Sequence, residues 1–146
     1  AMKASVLKWL TASFAVVLAS SIVSMMASFV GSEGGDLRDL LILQLAAIPF
    51  SVAVVLWCAG GLVRQFGAAE APRVFWRHLP GWLLFAVIMA DSLVLIAELS
   101  FIVLQFHLGD SRSWLEHIPA ATAFWSSLAL AVCYVGHRLA TDQTPD

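Results

Sequence analysis

The sequence predicts an all-α fold, a polytopic transmembrane four-helix bundle running up-down-up-down as a single domain over residues 1–146. Three observations predict it. Of the 146 residues, 60% are hydrophobic and 12% charged, whereas a soluble domain carries about a quarter charged residues. With a mean hydropathy of +0.87, most of the surface must face something other than water. Four long apolar stretches are separated by short connectors rich in glycine and proline, and about 20 apolar residues are enough for a helix to cross the hydrocarbon core. The cations, finally, gather on alternate connectors, the pattern of a chain that threads back and forth through a bilayer.

The first span runs from Trp9 to Val30 without a charge. A lone Ala1 ahead of Met2 reads as a cloning scar, so Met2 is the expected natural start. The stretch Met2–Lys8 has the character of a basic leader, and Ala19-Ser20-Ser21 resembles a cleavage site, which would leave three spans. The apolar run continues to Val30 with no polar region before that site, which favours an uncleaved span. The second span, Leu40–Val63, contains Pro49, which frees a backbone carbonyl and is expected to bend the helix. The third runs from Trp82 to Phe106. The fourth, Ile118–Val135, is slightly short, with Pro119 suited to a first helical turn. The connectors 31–39, 64–80 and 107–117 read as breaker-rich loops too small to be domains.

Charge orients the spans. Lys3, Lys8, Arg64, Arg73, Arg77 and Arg138 would share one side, leaving Arg38 and Arg112 on the other. Positive residues stay in the cytoplasm. The expectation is therefore an N-in/C-in protein of a bacterial cell inner membrane, with the 64–80 connector inside. The outer connectors carry Glu33, Asp36, Asp39, Asp110 and Glu116. Trp9, Trp76, Trp82 and Trp114 fall near membrane edges, where an indole keeps its N–H wet. Trp57 and Trp125 lie deeper and are expected to pack.

The third span holds the side chains least suited to lipid. Asp91 and Glu98 are seven residues apart, hence on one helix face about 10.5 Å from each other, and Gln105 extends the stripe. A carboxylate at mid-membrane costs about 2.5–3.5 kcal/mol on insertion scales, so the stripe should face the bundle interior, a hydrated cavity or another protein. No Lys, Arg or His lies well inside a span. That leaves Ser13, Ser20, Ser21, Ser24 and Ser28 of the first span, Gln44 of the second, and Thr122, Ser126 and Ser127 of the fourth as intrachain partners. Three roles follow: a polar clamp between helices, a proton or cation path, or a bond to a cationic group of another subunit. Ser20, Ser24 and Ser28 recur every four residues, a small-residue face that favours close helix approach over a hydroxyl-lined path.

Several function classes recede. A net charge of −2 gives no basic face for nucleic acid. Cys58 and Cys133 form no CxxC motif and are expected to be reduced and dispensable. With His78 and His137 they could make a zinc-like set at one membrane level, but no motif spacing supports it. His107 and His117 frame the outer connector and read as solvated. No two histidines project from mid-span positions as bis-histidine haem ligation needs, and no GxSxG, HExxH or phosphate-binding glycine loop is present. No cofactor and no metal are expected.

The leading expectation is a non-catalytic component that associates with other membrane subunits or with itself through a polar intramembrane helix face formed by Asp91, Glu98 and Gln105, with Gln44, Ser20 and Ser24 as further contact residues. The alternatives are a small ion- or proton-conducting pore or transport unit using the intramembrane carboxylates, and a lipid-handling or cofactor-binding membrane enzyme.

The orientation has a direct test. A cysteine placed at Ser32 or Ser111 should be labelled by an impermeant thiol reagent added to intact cells. Labelling only after permeabilisation would overturn the topology.

Overall fold

The computed structural model describes residues 4–30, 37–108 and 117–143. They form α1 (Ala4–Val30), α2 (Leu37–Phe66), α3 (Ala71–His78), α4 (Gly81–Leu108) and α5 (Ile118–Gln143). Four of these, all but α3, are long and apolar enough to cross a membrane. The protein is an integral membrane protein, and the four spans form an all-α bundle.

Helix α3 corrects the reading of 64–80 as a loop. Gly67, with φ of 87°, takes the left-handed turn that ends α2, and its N–H donates to the Val63 carbonyl at 2.8 Å. The Gly67 carbonyl then accepts from Ala71 N–H at 2.9 Å, starting α3. Pro72 sits in the first turn, where its missing N–H is no loss. Leu79 is extended ahead of Pro80, as a residue before proline must be, and the helix stops there. Ala71 is buried, while Arg73, Trp76 and Arg77 are exposed, so α3 lies with one face against the bundle.

The fourth span is longer than expected. Gly136, one residue past the expected end at Val135, lies inside α5. A Cβ there would stand 3.5 Å from Leu7 of α1, so the glycine serves close approach between helices rather than termination. Helix α1 begins ahead of Lys8, whose long stem can carry its ammonium out to water. Helix α2 continues through Pro49 as a single helix.

Helix α5 is the hub. In an apolar stretch of 18 residues 67% are buried in α5, against 22% in α1, 17% in α2 and 22% in α4. Helices α1, α2 and α4 each pack along α5, whereas α1 and α2 touch only lightly and α4 is held mainly by α5. The cause is side-chain size. Ala120, Ala123, Ser126, Ser127, Ala129, Ala131 and Cys133 are buried on α5, and small side chains let three neighbouring backbones come close. Larger groups fill the space between: Phe14, Leu18 and Met25 from α1, Val54 from α2, and Leu83 from α4. On α4, Ala90 and Ala97 continue the seam from Leu83 at seven-residue steps. Phe14 stacks on Phe50 with ring centres 5.8 Å apart, and Trp82 meets Tyr134 edge-on at 5.7 Å.

The start of α1 and the last turns of α5 lie at the same end of the bundle, where the His137 ring nitrogen Nδ1 is 3.1 Å from the Ala4 carbonyl. That is the up-down-up-down arrangement.

Because Ala123 is fully buried on the hub, Ala123→Leu should cost about 1–3 kcal/mol of overpacking and lower the thermal midpoint in detergent. Ala12→Leu, on the exposed face of α1, should leave the midpoint unchanged. Equal behaviour of the two variants would contradict the central place of α5.

Candidate functional site

Among the described residues, three bonds that run from side chain to side chain between helices or their ends involve most of the polar residues singled out from the sequence. Asp91 lies ten residues into α4, about 15 Å from its start and at the middle of the candidate membrane span Gly81–Ser100. The Ser127 hydroxyl of α5 donates to Asp91 Oδ1 at 3.0 Å and lies 2.7 Å from the Phe124 carbonyl, so its one proton is shared between two acceptors. Ser127 is fully buried and Asp91 only partly. The carboxylate therefore sits at the rim of the α4–α5 seam, one position round the helix from Ala90.

Two turns further out, Glu98 also lies at the rim, next to the fully buried Ala97. Its carboxylate meets His117, whose Nδ1 is 3.0 Å from Oε2 and 3.1 Å from Oε1. His117 was read as a solvated residue of the outer connector. The structure instead places it at the mouth of α5, partly exposed, as the partner of Glu98. A signal for it was present: antiparallel pairing that sets Asp91 against Ser127 also sets Glu98 against the first turn of α5. Gln105 belongs to α4, but its side chain lies outside the described residues.

The third bond joins α1 and α2. Gln44 Nε2 donates to Ser24 Oγ at 3.0 Å, both side chains being buried. The Gln44 backbone carbonyl is 3.2 Å from the Thr122 hydroxyl, which also donates to Ile118 C=O at 2.8 Å. Gln44 Oε1 is buried without a hydrogen-bond partner among the described residues. Ser20 is only half-buried; the buried serines of α1 are Ser21 and Ser24. The seam on α1 thus follows Leu7, Phe14 and Ser21 at seven-residue steps, with Leu18, Ser24 and Met25 beside it. The side chain of Ser28 lies outside the described residues.

Other expectations need correction. Trp57, expected to pack, is 61% exposed. Cys58 and Cys133, distant in sequence, are neighbours across α2 and α5. The histidines of the zinc-like set turn elsewhere: His78 Nδ1 is 2.9 Å from the Val74 carbonyl and His137 Nδ1 faces Ala4. Among the described residues no three His, Cys, Asp or Glu side chains gather as metal ligands would.

The clefts open away from the carboxylates. One of about 270 Å³ separates α1 from α4 and is lined by Lys8, Ala12, Ala15, Trp82 and Tyr134. Two others, of about 140 and 370 Å³, lie toward the C-terminal end of α2. Neither Asp91 nor Glu98 lines any of the three. Comparison of the chain with family models, curated proteins and solved structures gives no match. Chemically, the polar set can hold helices together and offer a carboxylate at the seam's edge to a neighbouring donor.

The Asp91–Ser127 and Gln44–Ser24 bonds should respond differently to deletion. Ser127→Ala should cost about 0.6 kcal/mol, an average value for an interhelical bond in a membrane. Gln44→Leu removes one bond but also a buried unpaired acceptor, whose burial costs about 1–3 kcal/mol, so it should match or exceed the parent in stability. Unfolding in mixed micelles measures both. A Gln44→Leu variant less stable than Ser127→Ala would show that Oε1 has a partner.

Proposed function

We propose that this protein is a non-catalytic membrane component that associates with other membrane subunits, or with further copies of itself, through the edge of α4 that carries Asp91 and Glu98. One observation carries the reading: Asp91 sits near mid-membrane, takes its hydrogen bond from Ser127, and still remains partly exposed at the rim of a seam. A carboxylate at the centre of a span costs about 2.5–3.5 kcal/mol uncompensated, and one interhelical bond, worth about 0.6 kcal/mol on average, offsets only part of that. A second polar helix laid along the rim relieves that cost. The surrounding surface suits such a neighbour, because Leu95, Ile96, Leu99 and Ile102 are exposed beside the carboxylates and α4 is gripped mainly on its α5 side.

The distribution of cations supports an inner-membrane orientation with both termini cytoplasmic. Lys8, Arg64, Arg73, Arg77 and Arg138 are exposed toward the end of the bundle where α1 starts and α5 finishes, and positive residues mark the cytoplasmic face.

The test is Asp91→Asn. The amide keeps a bond to Ser127 but cannot pair with a cation of a neighbouring subunit, which leaves that charge buried and unpaired at a cost of about 3–5 kcal/mol. Purified in mild detergent, the parent should show a protein mass above that of the 15.8 kDa chain, and the variant should lose its partner while staying folded. A variant that keeps the parent's mass and partners refutes association through Asp91. If such a variant has also lost proton or cation flux in reconstituted vesicles, the pore reading replaces it.

A further inference from the structure

The two clefts at the inner end of α2 share Trp57, Gly61 and Gln65 and form one continuous recess. Its deep part, about 140 Å³, is closed by Leu7 of α1, Cys58 of α2, and Val132, Gly136 and Leu139 of α5. Its mouth, about 370 Å³, is walled by Trp57, Arg64 and Gln65. Glycine makes the recess: a Cβ on Gly61 would meet nothing within 4 Å, so any larger residue there would project into open space. Ligand sites of about 300–1,000 Å³, apolar with a few placed polar groups, are the usual size and make-up.

The polarity of the recess is directional. Trp57, Gly61 and Arg64 follow at i, i+4 and i+7, one face of the helix, and Trp57 and Arg64 are about 10.5 Å apart along the axis. The charged end is at the membrane surface and the apolar end points toward the bilayer centre, which is how a lipid of that leaflet is oriented. Arg64 carries no ion pair or hydrogen bond to another side chain among the described residues. Its guanidinium folds back over Gly60, with Nη2 3.7 Å from that residue's Cβ position, and leaves Gly61 uncovered. A guanidinium fork matches phosphate oxygens two at a time. The lining holds no carboxylate that could pair with a choline or an ammonium headgroup.

We infer that this recess binds an anionic phospholipid, its phosphate on Arg64 and Gln65 and its acyl chain running past Gly61 toward Trp57 and Cys58. The inference is independent of the subunit role argued from Asp91. A free anion would satisfy Arg64 but leave the apolar depth unfilled, whereas a lipid fills both.

Cys58 lines the floor and serves as the reporter. Its alkylation by N-ethylmaleimide is followed by peptide mass in vesicles of phosphatidylcholine alone and of phosphatidylcholine with phosphatidylglycerol. In the parent protein, phosphatidylglycerol should slow alkylation several-fold, and native mass spectrometry should show it retained on the chain. Arg64→Gln and Gly61→Leu should abolish the difference between the two vesicles. Arg73→Gln removes an equal charge outside the recess and should preserve it, which separates the site from a general effect of surface charge. Equal alkylation of the parent in both vesicles would overturn the inference, as would undiminished protection of Arg64→Gln. Protection by inorganic phosphate in neutral vesicles, as strong as that by phosphatidylglycerol, would reassign the site to a soluble anion.

Discussion

The small-residue surface of α5 is the constraint on which the rest of this bundle depends. In lipid there is no hydrophobic gain from bringing apolar helices together, so association rests on how closely their surfaces fit and on polar bonds between them. Ala120, Ala123, Ala129 and Ala131, with Ser126 and Ser127, keep α5 narrow, and three helices converge on it. The arrangement has a cost in enclosure. Neighbours grouped around a narrow centre do not close on one another, so α1, α2 and α4 leave most of their residues outside the core. The clefts between them are the direct result.

Most hydroxyls inside the spans do not link helices at all. Ser13, Ser21, Ser51 and Ser126 each bond to the carbonyl one turn back on their own helix. That satisfies the group inside hydrocarbon and leaves a small, effectively apolar surface. The serines of α1 are therefore largely packing elements. The Gln44, Asp91 and Glu98 side chains are too long or too charged to be met on their own helix, and each bonds to a side chain of another segment. Two of the three lie on the α4–α5 rim, on the helix with the fewest other neighbours, which is why that rim is the natural surface for an additional partner.

The opposite ends of the molecule have different characters. Toward the end where α2 and α5 start, the Glu98–His117 pair and the Gln44–Ser24 bond hold the helices by polar contacts. Toward the end where α1 starts and α5 finishes, glycine governs the spacing in two ways. Gly136 brings α1 onto α5, whereas Gly61 leaves space unfilled on α2. The first use tightens the bundle and the second opens a recess beneath Arg64. The same residue type thus closes one interface and creates a site beside another, according to whether a neighbour's side chain arrives to occupy the room.

The sequence by itself determined the class of the protein: four apolar stretches of spanning length, their alternating direction, and the few polar residues that do not belong in lipid. Those are properties of one chain segment against a bilayer and can be read residue by residue. It also narrowed the partner of Asp91 to a short set of hydroxyls that included Ser127. It did not reveal α3, because a two-turn helix gives little periodicity and Pro72 reads first as a breaker. Nor did it reveal the hub. A buried apolar face and a lipid-facing one look alike in hydropathy, since lipid tails are as apolar as leucine, so the polar third span and the serine-bearing first span drew attention that α5 deserved. Which helix stands at the centre, that His117 meets Glu98, that Cys58 meets Cys133 and that Trp57 faces outward were decided only by the tertiary structure, because each depends on the mutual shape and rotation of helices far apart in the chain.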